Sequence, residues 1–103
     1  MQIRISKLLE MYPYLEVRAT YRADNNALTT LIDLDKAIER ASLTDSELEV
    51  LGLSFKSDYT IDMIVQQGKY TKMQVEYRIK KIVEKVGRAY YFPEEVLEEE
   101  EVL

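Results

Sequence analysis

Seven bases crowd the twenty residues from Lys69 to Arg88: Lys69, Lys72, Arg78, Lys80, Lys81, Lys85 and Arg88. Only Glu76 and Glu84 oppose them, so this stretch carries a net charge of +5 in a chain whose overall charge is −5. A local excess of Lys and Arg is the chemistry of phosphate contact, because binding responds to the charge near the ligand and not to the sum. Other chemistries are harder to assemble. The 103 residues contain no histidine and no cysteine, which removes the commonest general base, the usual zinc ligands and every disulfide. Paired carboxylates remain, yet most lie in runs that read as solvated. Neither an enzyme nor a cofactor-dependent protein is expected. A cysteine-free chain fits a reducing cytoplasm. No stretch approaches the roughly 20 apolar residues of a membrane span, and Met1-Gln2-Ile3-Arg4 lacks the apolar run of a secretion signal.

The elements that would position these bases can be read from periodicity. Ile5, Leu8, Leu9 and Tyr12 share a helical face that Pro13 should end. From Tyr14 to Arg22 apolar and polar residues alternate, which predicts a strand. Leu28, Leu31, Leu34, Ile38 and Ala41 then recur at helical spacing, predicting a helix over 26–41 capped by Asn25 or Asn26. A short β-hairpin across Asn25-Asn26 is the alternative. Thr44 and Glu47 make a capping box before a helix that runs to about Phe55, with Leu48, Leu51 and Phe55 on its apolar face. Thr60 caps a short helix that buries Ile61, Ile64 and Val65. After a break at Gly68, Thr71 and Gln74 offer a second capping box. The last helix buries Val75, Ile79, Ile82 and Val86 and should stop at Gly87.

The expected fold is therefore mainly α: a small helical domain whose last three helices, the middle one short, make the minimal helix-turn-helix arrangement. Three segments follow: an N-terminal portion over 1–42, a helix-turn-helix domain over 43–92 and an acidic tail over 93–103, with six glutamates from Glu94 to Glu101 and no base. The aromatic trio Tyr90, Tyr91 and Phe92 reads as an anchor that folds the tail back on the core. Opposite charge in tail and last helix suggests that one could mask the other.

The segments "LTDSELEVLGLSF" and "YTIDMIVQQGKYTKMQVEYRIKKIVEKV" resemble the fourth region of sigma-70-type transcription factors. The matching positions are Leu43, Thr44, Glu47, Val50, Leu51, Leu53, Thr60, Ile64, Thr71, Val75, Arg78, Ile79 and Val86, ungapped from Thr60 to Val86. The chain's length and acidic tail make it most similar to bacteriophage late-transcription regulators of the ArpU and RinA sort. The resemblance implies a DNA-binding transcription regulator in the cytoplasm of a bacterial host, with double-stranded DNA and RNA polymerase as partners and self-association to sharpen specificity.

The DNA-contacting residues would then be Lys69, Thr71, Lys72, Gln74, Tyr77, Arg78, Lys80, Lys81 and Lys85. Lys and Arg would neutralise phosphates, Gln74 and Lys72 could read base edges, and Tyr77 could meet a phosphate or a thymine methyl, or simply pack. Three positions depart from the family pattern. Gly68 precedes Lys69, where a glycine is usual at the Lys69 position, so the turn is out of phase or Lys69 is left-handed. Val65 replaces a small residue, and Glu76 replaces a frequent base. Two other functions fit the residues: a protein-interaction module that dispenses with DNA, and the DNA-recognition part of a phage small-terminase-like packaging protein.

Overall fold

The computed structural model describes residues 5–92. Six helices occupy most of them: α1 (Ile5–Glu10), α2 (Tyr12–Tyr21), α3 (Asn25–Arg40), α4 (Asp45–Leu51), α5 (Ile61–Gln66) and α6 (Lys72–Tyr91). A π-helical turn, Gly52–Lys56, continues α4. The fold is mainly α, and the described residues contain no strand. Residues on both sides of position 43 feed one buried cluster, from Leu9 and Leu34 to Val50, Ile64, Val75, Ile82 and Val86.

α6 is the spine of that cluster. Its Val75, Ile82, Val86 and Ala89 are almost wholly covered, and α1, α3, α4 and α5 all pack on it. The stripe follows the expected i, i+3, i+4 spacing. Gly87, however, does not end the helix, which runs on to Tyr91. Glycine gives α1 room to cross α6 there: a Cβ would stand 3.0 Å from Ile5 Cγ2, tighter than an ordinary contact. Tyr90 and Tyr91 consequently belong to the last turn of α6, ring edge to ring face at 5.2 Å, and pack against the core. The acidic tail, with its supposed masking role, lies outside the described residues.

The N-terminal half corrects the sequence reading most. Tyr14 to Arg22 is neither strand nor hairpin arm; nearly all of it is helix α2. Pro13 sits in the first turn of α2, where its missing N–H leaves no helical bond unmade and its fixed φ suits the helix. The alternation was misleading because Val17 and Tyr21 face solvent, Tyr21 at 81% exposure, while Tyr12 and Leu15 provide the buried contact. α2 folds back along α3. Tyr12 Oη donates to Asp35 Oδ1 at 2.6 Å, and burial together with Asp35 pushes the phenol pKa upward.

The turn between α2 and α3 uses Ala23 at φ +50°. Asp24, not Asn25 or Asn26, caps α3: its carboxylate accepts from the amides of Asn26 and Ala27 and also holds Arg18 Nε at 2.8 Å. Thr29 and Thr30 are helical despite their branched side chains, and their hydroxyls donate to carbonyls four residues back.

The capping boxes form as expected at Thr44–Glu47 and Thr71–Gln74, and Thr60 caps α5. In α4 the phase differs from expectation. Val50 is buried and Leu48 is 45% exposed, because Glu47 occupies the inward position beside them.

Gly87 gives a direct test of the α1–α6 crossing. Gly87→Leu is expected to lower stability by roughly 1–3 kcal/mol through overpacking against Ile5. Gly87→Ala should be close to neutral, since the helix-propensity gain of about 1 kcal/mol offsets a small shift of Ile5. Urea unfolding followed by circular dichroism would measure both.

Candidate nucleic-acid interface

Between α5 and α6 the chain turns within five residues. Gly68 carries the positive φ, +85°, and Lys69 is not left-handed. Two contacts pin the turn. Lys69 Nζ lies 2.7 Å from Glu49 Oε2 on α4; their hydrogen bond holds the Glu49 carboxyl below its ordinary pKa and lifts that of Lys69. The Arg78 guanidinium stacks over the Tyr70 ring at 4.7 Å, and its Nη1 donates to the Gln74 carbonyl. These contacts fix the direction in which α6 leaves the turn.

The nine residues proposed from sequence do not form one face. Thr71 and Gln74 are exposed, but each has a structural task. The Thr71 hydroxyl accepts from the Gln74 amide, and Gln74 Oε1 accepts from the Thr71 amide at 2.9 Å. Base reading by the Gln74 side chain would require opening that box. Lys69 and Arg78 serve the turn.

Lys85 points toward α4, where its Nζ reaches Glu47 Oε1 at 2.7 Å. The same oxygen accepts from the Thr44 amide at 2.9 Å. Glu47 is only 5% exposed. Burial alone would raise its pKa, but the hydrogen bonds from Lys85 and from Thr44 outweigh it and the carboxyl stays below its usual range. Sequence patterning showed Glu47 as a capping residue; the second partner, 38 positions away, had no local signal.

Four side chains remain outward on the N-terminal half of α6 from the proposed set. Lys72, Tyr77 and Lys80 are exposed, and Lys81 is half-buried, with its Nζ 5.6 Å from the Tyr77 ring centre and 3.6 Å from Glu84. Met73 and Glu76 share this surface. The amides of Lys72 and Met73 at the start of α6 find no acceptor among the described residues, as is usual in the first turn of a helix. Such a surface can do two things chemically: neutralise anions with ammonium groups and offer apolar and carboxylate contacts between them. No cluster of carboxylates among the described residues could hold a metal ion, and no described helix is long and apolar enough to cross a membrane.

Comparison with protein-family models, with curated proteins and with solved structures returned no match.

The Glu47 junction has a pH signature. Its folded pKa is depressed below the ordinary 4.5, so its contribution to stability is present above that value and is lost as pH falls through the folded pKa. Glu47→Gln keeps the capping box but removes the ion pair. It is expected to cost about 1–2 kcal/mol at neutral pH, less than a fully buried pair because Lys85 is partly solvated. The variant should also show a flatter loss of stability below pH 4.5. Glu47→Ala should cost about 1 kcal/mol more, through loss of the cap. Thermal unfolding at pH 7 and pH 3.5 would read both effects.

Proposed function

We propose that this protein is a DNA-binding transcription regulator in which α4, α5 and α6 act as a helix-turn-helix and α6 enters the major groove. The observation that carries the reading is the outward N-terminal half of α6. It is anchored by a fully buried stripe on its other side, aimed by a turn pinned at Lys69–Glu49 and Tyr70–Arg78, and furnished with Lys72, Lys80 and Lys81. The resemblance of residues 43–86 to the fourth sigma region supports transcription as the process and RNA polymerase as a second partner. Lys72, Lys80 and Lys81 neutralise phosphates, while Lys69 holds the turn through Glu49. Arg78 and Lys85 position the helix from its inner sides. The reaction requires no cofactor, since binding itself is the activity.

A second reading is favoured by Met73 and Tyr77, which are 79% and 58% exposed: the same face could receive a protein partner. Pull-down from nuclease-treated lysate separates the two, because a complex with a protein partner survives removal of nucleic acid.

Replacing Lys72, Lys80 and Lys81 together by Ala is expected to weaken duplex binding at all sequences. Each phosphate contact contributes about 0.9 to the slope of log K against log salt, so the slope should fall by roughly 3. Mobility-shift titrations at several salt concentrations supply the measurement. An unchanged slope would remove these residues from the interface.

A further inference from the structure

Met73, Glu76, Tyr77 and Lys80 stand at i, i+3, i+4 and i+7, and all four are exposed. Residues at that spacing share one helical face. They span about 10 Å of helix axis, the length of roughly three base pairs at 3.4 Å each. Of the polar side chains suited to reading bases, Gln74 closes its capping box and Arg78 lies on Tyr70, while Lys72 stays exposed at the edge of this face. This face exposes a thioether and a phenol ring, with a carboxylate beside them that has no ion-pair partner among the described residues.

From this placement we infer that Met73, Glu76 and Tyr77 determine specificity by reading pyrimidines in the major groove: thymine methyls against Met73 and Tyr77, and a cytosine amino group donating to the Glu76 carboxylate. The inference rests on the DNA-binding reading. The chemistry is selective because each group favours one feature of the groove floor. Apolar side chains meet the C5-methyl of thymine, and a carboxylate accepts best from the N4 amino group of cytosine, since the N6 amino group of adenine stands beside the N7 acceptor that repels it. Glu76 repels phosphate, so it contributes only where a cytosine lies opposite. It thereby penalises wrong sites as well as favouring right ones. Lys72 and Lys80 flank the carboxylate and hold the backbone on either side.

The test starts from duplexes selected by the full chain from a random library. A three-base-pair core containing a cytosine and thymines is expected. Replacing thymine by deoxyuridine removes only the methyl and should weaken binding about fourfold for each methyl in contact. Met73→Ala should abolish that sensitivity at one step. Glu76→Gln should change the preferred base at one position from cytosine to adenine, by roughly tenfold, because a glutamine side chain pairs with adenine N6 and N7. Uniformly tighter binding of Glu76→Gln to every sequence, with deoxyuridine tolerated, would overturn the inference and leave the DNA-binding reading intact. Failure of the full chain to shift any duplex at low salt would overturn both.

Discussion

Everything in this molecule depends on the burial of one side of α6. Val75, Ile82, Val86 and Ala89 form the wall against which α1, α3, α4 and α5 each place their own apolar residues. Hydrophobic burial has no direction of its own, so polar devices must choose among the rotations and registers that would bury similar area. Three do so. Glu47 ties the start of α4 to the middle of α6 through Lys85. Lys69 ties the turn to α4 through Glu49. Gly87 lets α1 approach more closely than any other residue would allow. Apolar area supplies the driving force, and these contacts select the arrangement.

That division of labour explains why charge counting along α6 overstates its positive character. A cluster of seven bases suggests a uniform surface, but the fold distributes them by angle. Lys85 faces a buried carboxylate, Arg78 an aromatic ring, and Lys69 a glutamate across the turn. The ones that remain outward are fewer and share their face with Met73, Glu76 and Tyr77. A surface of that mixed kind holds less non-specific attraction and more capacity to discriminate than a purely basic helix.

The C-terminal half was legible because its signals are local. Thr44–Glu47, Thr60 and Thr71–Gln74 announce helix starts by chemistry that operates over three residues, and Val75, Ile82 and Val86 repeat at helical spacing. The N-terminal half was not, because its alternating pattern satisfied a strand as well as a helix with one poorly covered side. Its packing along α3, which includes the bond from Tyr12 to Asp35, 23 residues on, favours the helix. Asp24 was overlooked as the cap of α3 since two asparagines follow it. Leu48 and Val50 exchanged places because nothing near Glu47 in sequence reveals that its carboxylate turns inward. The candidate site divides the same way: the outward placement of Lys72, Tyr77, Lys80 and Lys81 follows from helical phase, whereas the engagements of Lys69 and Lys85 depend on partners 20 and 38 residues away, and that of Arg78 on the turn that brings Tyr70 beside it.

The position of α6 in the chain order also governs how the protein comes into being. Leu9, Leu34, Val50 and Ile64 are synthesised before the wall they pack against exists. At a translation rate of about 5–20 residues per second, the nascent chain spends seconds with those side chains wet on the ribosome surface. Compaction must await the emergence of α6. Completion of the core therefore follows the synthesis of α6, whatever the earlier helices have formed by then.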